Sequence, residues 1–218
     1  MGYDTVLFDL DGTLLDTLDD LMDSCNYTLS TIGAPPWPRE DIRRFVGNGI
    51  RNLMRLAVPG GESHPRFEEA YNTMQSWYRA HNQIKTAPYP GVQNLIRNLK
   101  ERNVAMAVVS NKPDSSVQML MEQWFPEITV GVGELEGLRR KPERDLVDYA
   151  LKRIGRPGGR VVYVGDSEVD LATAANAELD CISVTWGFRD RDVLEREGAT
   201  CFADTAEELL DLIISPEK

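Results

Sequence analysis

With 218 residues, 42% of them hydrophobic and 27% charged, the chain can bury a substantial core and falls outside the composition of disordered or fibrous proteins. A formal net charge of -11 argues against a nucleic-acid surface or an anionic membrane as partner, so an anionic substrate needs local positive charge or a metal. No apolar run approaches a membrane span, the N-terminus lacks signal-peptide features, and Cys25, Cys181 and Cys201 are odd in number and scattered, which predicts a cytoplasmic protein with reduced thiols.

Val6, Leu7 and Phe8 suit a strand buried on both faces, at the centre of a parallel sheet. Asp9 and Asp11 follow, and in extended geometry they leave on the same side. Two ionised acids in one small volume need a shared cation or a held proton, so a divalent metal and a proton-shuttling acid are the two natural explanations. Gly12 allows a tight turn, and the Thr13 hydroxyl and nearby amides are placed to face an anion. From residue 16 the pattern becomes helical. Leu18, Leu21, Met22, Cys25, Leu29 and Ile32 recur at helical spacing after a cap at Asp16 or Thr17, and Gly33 stops the run. A short helix is expected over 39–46, and a long amphipathic one over 65–82. Between them Gly47-Asn48-Gly49 opens a helix with Ile50, Leu53, Met54 and Ala57 on one face. Gly47, Asn48, Gly49 and Arg51 form either a glycine-rich turn or an anion-facing helix start with one basic side chain. Arg43, Arg44 and Arg55 are weaker candidates.

Beyond Val92 helix and strand alternate. Val92, Leu95, Ile96 and Leu99 mark a helix, 104–109 a strand ending at Ser110-Asn111-Lys112, and Val117, Leu120, Met121 and Trp124 a further helix. A short strand follows over 128–132, and Lys141-Pro142 opens a helix carrying Leu146, Val147, Ala150, Leu151 and Ile154. Strands are expected at 161–164, ending at Gly165-Asp166, and at 181–185, and Thr205 with Glu208 forms a capping-box pattern for the last helix. This alternation implies parallel pairing through right-handed crossovers. The fold class is α/β: a doubly wound parallel-sheet core over 1–15 and 87–218, with a helical domain over 16–86 inserted after the first strand.

Ligands of open parallel sheets collect at the carboxyl ends of the strands. Polar residues follow three apolar strands at that end: Asp9 with Asp11, Ser110 with Asn111, and Asp166 with Asp170. Separately each has a structural explanation, Ser110 as a cap for the helix near Pro113 and Asp166 as a helix cap; together they describe one polar pocket. A lysine at 141, before a helix start, opposes the helix dipole and needs an anionic partner, unless it is a solvated neighbour of Arg139 and Arg140.

The string DLDGTLLDT over 9–17 resembles the first signature of the haloacid dehalogenase superfamily in its phosphatase form. Ser110 after VAMAVV, Lys141-Pro142, and GDSEVD over 165–170 resemble the second, third and fourth. The resemblance covers essentially the whole chain and implies a Rossmann-like core with a small helical cap. By it, Asp9 is the nucleophile that becomes an aspartyl phosphate and Asp11 the acid and base. It places Ser110 on the phosphoryl group and Asn111 on that group or the leaving oxygen, and gives Lys141 the task of offsetting the charge of nucleophile and phosphate. It also implies Mg²⁺ held by Asp9, Asp166 and the backbone carbonyl of Asp11, with Asp170 acting through a bound water or orienting Lys141. VGNGIRNLM over 46–54 and Trp186-Gly187-Phe188 resemble the phosphoglycolate phosphatase branch, which implies a small anionic phosphate ester as substrate. No nucleic-acid or membrane partner is expected, and the chain is expected as a monomer or homodimer. A phosphosugar mutase, a pyrophosphatase or nucleotidase, and a non-catalytic phospholigand sensor are the alternatives on the same core.

Overall fold

In the computed structural model, which describes residues 2–155 and 159–215, the apolar run that opens the chain is strand β1, Thr5–Phe8. After it come β2 (Leu15–Asp16), helices α1 (Leu18–Thr31), α2 (Arg39–Phe45), α3 (Gly49–Ala57) and α4 (Phe67–His81), and β3 (Ala87–Pro88), which pairs with β2 in a two-stranded sheet. The remainder alternates: α5 (Val92–Glu101), β4 (Ala105–Pro113), α6 (Asp114–Trp124), β5 (Val130–Glu134), α7 (Asp145–Ile154), β6 (Val161–Gly165), α8 (Glu168–Asn176), β7 (Asp180–Val184), α9 (Arg191–Arg196), β8 (Phe202–Ala203) and α10 (Ala206–Ile214).

The main sheet has the order β5-β4-β1-β6-β7-β8, with every neighbouring pair parallel. Alternation along the strands builds its two layers. Val6, Phe8, Met106, Val108, Val162 and Val164 face Leu95, Leu120 and Leu209 of α5, α6 and α10, whereas Leu7, Ala107, Val109 and Tyr163 face Leu146, Val147 and Ala174 of α7 and α8. Both faces of β1 are therefore dry, with Val6, Leu7 and Phe8 fully buried. This is the doubly wound parallel architecture that the alternation predicts. Among the described residues no helix is long and apolar enough to cross a membrane.

The chain forms two compact units, Met1–Leu15 with Pro88–Lys218, and Asp16–Ala87. The second is helical. Leu21, Cys25 and Leu29 of α1, Leu53 and Met54 of α3, and Phe67, Met74 and Tyr78 of α4 are among its buried apolar residues.

Some boundaries differ from the sequence reading. α7 begins at Asp145, not at Lys141-Pro142. The Glu143 amide turns back to the Arg140 carbonyl, and the first i→i−4 bond runs from Asp148 to Arg144, so Pro142 is not the first helical residue. β4 continues through Ser110-Asn111-Lys112 to Pro113, with an irregular register after Val109. β5 starts two residues later than expected, at Val130. Of the capping-box pair, Thr205 accepts the Glu208 amide, but the Glu208 carboxylate takes the amide of Asp204 instead of that of Thr205. The short elements β8 and α9 leave too little periodicity to be read from sequence.

The helical unit carries one buried carboxylate with a clear structural task. Asp20, on the first turn of α1, accepts hydrogen bonds from the amides of Ile84, Lys85 and Thr86 at 2.9–3.1 Å and from the Thr86 hydroxyl at 2.8 Å. It thereby ties the end of the insertion to its beginning, and removing the acceptor strands several amides. Asp20→Ala is expected to lower stability to urea by about 3 kcal/mol, with Asp20→Asn less severe; equal midpoints for both variants and the parent would contradict this role.

Candidate active site

Phe8 lies opposite Val164, so β1 and β6 end side by side and release Asp9 and Asp166 at the same edge. β4, on the other flank of β1, brings Ser110, Asn111 and Lys112 to that edge. Past Asp166 the chain enters α8 through a reciprocal capping box: the Asp170 carboxylate accepts the Ser167 amide and hydroxyl, and also the Asp166 amide. The cap fixes Asp170 one turn beyond Asp166, with its second oxygen turned inward.

Lys141 enters from the turn ahead of α7. Its ammonium lies 2.7 Å from Asp9 Oδ1, 2.8 Å from Asp170 Oδ1 and 3.0 Å from the Tyr163 hydroxyl, and its side chain is only 3% exposed. Burial pulls the lysine towards neutrality, but Asp170 and Asp9 outweigh it and hold its pKa well above the ordinary lysine value. The surface-lysine alternative is thus ruled out, and Arg140 is exposed. Tyr163, whose hydroxyl donates a hydrogen bond to the Val109 carbonyl, completes the grip from the middle of the sheet.

Asp166 is enclosed differently. Its Oδ1 accepts the Thr13 hydroxyl at 3.0 Å and its Oδ2 the Phe188 amide at 2.7 Å. Thr13, expected to face an anionic ligand, therefore spends its hydroxyl on Asp166. Gly12 turns with φ 88°, and a Cβ there would lie 2.3 Å from Asp166 Oδ2. A Cβ on Gly187 would meet Asp166 Cβ at 2.3 Å and the Gly12 carbonyl at 2.4 Å. The role of Gly12 is close approach to a carboxylate, and Trp186 closes the same corner by donating its indole N–H to the Thr13 carbonyl.

The other acid of the first signature has its own cation. Lys112 Nζ lies 2.6 Å from Asp11 Oδ1, with the lysine side chain 3% exposed and that of Asp11 16%. Sequence reasoning passed over Lys112 and Tyr163. The signal for Lys112 was its place two residues beyond Ser110 on the strand that reaches the site. Ser110 is buried; its hydroxyl oxygen accepts the Lys112 amide and does not cap α6, whose first turn has no side-chain cap. Asn111 Nδ2 donates to the Lys141 carbonyl at 3.0 Å and so positions the lysine's backbone, while its buried Oδ1 accepts no hydrogen bond from the protein among the described residues.

Asp9, Asp166 and Asp170 offer carboxylate oxygens that lie within 4.8 Å of one another. Burial raises Asp9 well above the usual carboxylate range despite Lys141, and burial together with Asp170 pushes Asp166 up to about 7. Ionised together, these three carboxylates outnumber the one ammonium among them by two charges, and the raised pKa values of Asp9 and Asp166 show how strongly the site resists that state without a further cation. Hard oxygen donors and that excess fit a divalent cation such as Mg²⁺. Asp170 is the least suited to bind it directly, since both of its oxygens are taken up by Lys141 and the capping box.

The candidates in the insertion lie in the helical unit. Gly47 and Gly49 have φ of 124° and 78°, Asn48 precedes α3, and Gly49 is the first residue of α3. Arg51, expected to offer its charge to an anion, instead pairs with Glu62 at 3.0 Å and Glu68 at 2.6 Å and lies over the rings of Phe67 and Tyr71. Its positive charge is compensated inside its own unit.

A family model of haloacid dehalogenase-like hydrolases matches residues 6–184. A phosphoglycolate phosphatase of Pseudomonas fluorescens is 32% identical over 215 residues, 94% of this chain and 78% of the relative. One from Agrobacterium fabrum is 31% identical over 92% of this chain and 88% of its own length. A crystal structure from Lactobacillus delbrueckii subsp. bulgaricus, named as a candidate phosphoglycolate phosphatase, superposes with a TM-score of 0.93 at 37% identity, covering 99% of this chain and all of that one.

The packing around Asp166 leaves no room for even one methyl group. Gly187→Ala is expected to displace Asp166 and to cost about 1–3 kcal/mol in thermal or urea unfolding; an unchanged melting temperature would show that the corner is looser than the distances indicate.

Proposed function

The chain belongs to the haloacid dehalogenase-like hydrolase family, and on that premise we propose that it is a Mg²⁺-dependent phosphatase that hydrolyses small phosphomonoesters through an aspartyl phosphate on Asp9. The observation that carries this reading is the Lys141 ammonium, buried and held at 2.7 Å from Asp9 and 2.8 Å from Asp170. A carboxylate that attacks a phosphate dianion meets strong repulsion, and a fixed cation at the attacking oxygen reduces it. 2-Phosphoglycolate is the favoured substrate, supported by relatives that bear that name across almost the whole chain.

In the proposed sequence, an Asp9 oxygen attacks phosphorus in line and the bond from phosphorus to the ester oxygen breaks. Asp11 gives its proton to the departing alkoxide. Asp11 then takes a proton from a water that attacks the phosphorus of the aspartyl phosphate, and the bond to Asp9 breaks to return the free carboxylate. Lys141 keeps Asp9 oriented throughout, Asp170 and Tyr163 keep Lys141 in place, and Asn111 anchors the lysine's carbonyl. The Ser110 hydroxyl donates a hydrogen bond to a phosphoryl oxygen. Mg²⁺, when bound, would be held by Asp9, Asp166 and the Asp11 carbonyl, and supplies neutralising charge for the phosphate.

Phosphate release from a panel of small phosphomonoesters is expected to favour 2-phosphoglycolate, to stop in chelator and to return with added Mg²⁺. Asp9→Asn is expected to lose at least about 10³-fold in rate with an unchanged far-UV spectrum. Undiminished hydrolysis by Asp9→Asn, or by parent enzyme in chelator, would overturn the reading.

A further inference from the structure

We propose that the Lys112 ammonium is the receptor for an anionic substituent on the leaving group, and so selects substrates whose alcohol carries a carboxylate next to the ester carbon. This rests on the phosphatase reading given above.

The geometry begins with Asp11. To protonate the departing oxygen, its carboxyl must touch that oxygen, within about 2.6–3.2 Å. Lys112 Nζ sits 2.6 Å from Oδ1 of the same carboxyl. Whatever is bonded to the ester oxygen is therefore held beside this ammonium. In 2-phosphoglycolate the carboxylate carbon is two bonds from that oxygen, which brings a second anion within reach of the same cation. An ammonium carries three donors, so one lysine can hold Asp11 and a substrate carboxylate together.

The setting fits the assignment. The Lys112 side chain, 3% exposed at the end of β4, is held in place by its pair with Asp11, so the ammonium is fixed beside the leaving oxygen and does not wander into solvent. Lys141 holds Asp9 and Asp170, and Arg189 is paired with Glu168 at 2.7 Å; Lys112 also answers an acid of the protein, but its acid is the proposed proton carrier to the leaving group. Arg51 of the insertion is likewise taken up by Glu62 and Glu68. Asp11 is the more exposed partner of the Lys112 pair, so a ligand that contacts Asp11 approaches the ammonium from the open side.

A lysine that merely positions Asp11 makes a different prediction from one that reads the leaving group. Positioning affects every ester alike, whereas recognition affects only those with the anion. The test compares kcat/KM for 2-phosphoglycolate and for ethyl phosphate, which replaces the carboxylate by a methyl group, in the parent, Lys112→Met and Lys112→Arg. The expected result is a fall in the preference for 2-phosphoglycolate of about 10- to 100-fold in Lys112→Met, expressed mainly in KM, with much of the preference kept in Lys112→Arg. Both rates come from one preparation, so any loss of folded enzyme divides out of the ratio. Should Lys112→Met be inactive on both esters, the milder Lys112→Gln gives the same comparison. A preference that survives in the neutral variant, while both rates fall together, overturns the assignment and leaves the phosphatase reading standing. A parent enzyme with no preference between the two esters overturns the substrate reading, and this inference with it.

Discussion

Carboxylates that converge at the end of a parallel sheet repel one another, and in this protein Lys141 makes their convergence tolerable. Three acids from three different elements approach within 4.8 Å, and one buried ammonium touches two of them. Neither Asp9 nor Asp170 would be stable there with the lysine removed, because a buried charge without a partner costs far more than a surface one. The rest of the edge serves this contact. Asn111 holds the lysine's carbonyl, Tyr163 its ammonium, and the α8 capping box the carboxylate opposite.

The arrangement separates two ion pairs that the sequence places side by side. Asp9 and Asp11 are two residues apart, yet Asp9 answers to Lys141 from the turn before α7 and Asp11 to Lys112 from β4. One acid is nearly sealed in a network with Asp170, while the other sits in a more open pair. That asymmetry lets two chemically identical side chains take different parts in a reaction, one as proposed nucleophile and one as proposed proton carrier. Burial and Asp170 push Asp166 up to about 7, so a divalent ion beside it would favour its ionised form.

Much of this was legible in the sequence, for physical reasons. Strands buried on both faces read as unbroken apolar runs, so β1, β4 and β6 and the polar residues after them stood out. The partners of those residues were harder to read. Thr13 looks like a ligand-facing group from its position, but its hydroxyl donates to Asp166, and the Asn111 amide N–H donates to the Lys141 carbonyl, because buried acceptors must be satisfied first. Lys112 stands in the Ser110-Asn111-Lys112 string without a role that its position alone assigns, and only the three-dimensional meeting with Asp11 gives it one. The start of α7 was misplaced because Pro142 suggests a first helical turn, whereas the chain folds through a turn at Arg140 to Glu143 while Lys141 reaches inward.

The account stands on Asp9 as the atom donor to phosphorus. The direct measurement is to quench the enzyme during turnover of 2-phosphoglycolate with Mg²⁺, treat it with borohydride, and map the peptides by mass spectrometry. Reduction of an acyl phosphate converts aspartate to homoserine, and the account predicts homoserine at position 9, absent without substrate. Turnover with Asp9 unaltered, or homoserine at position 11 or 166, would contradict it.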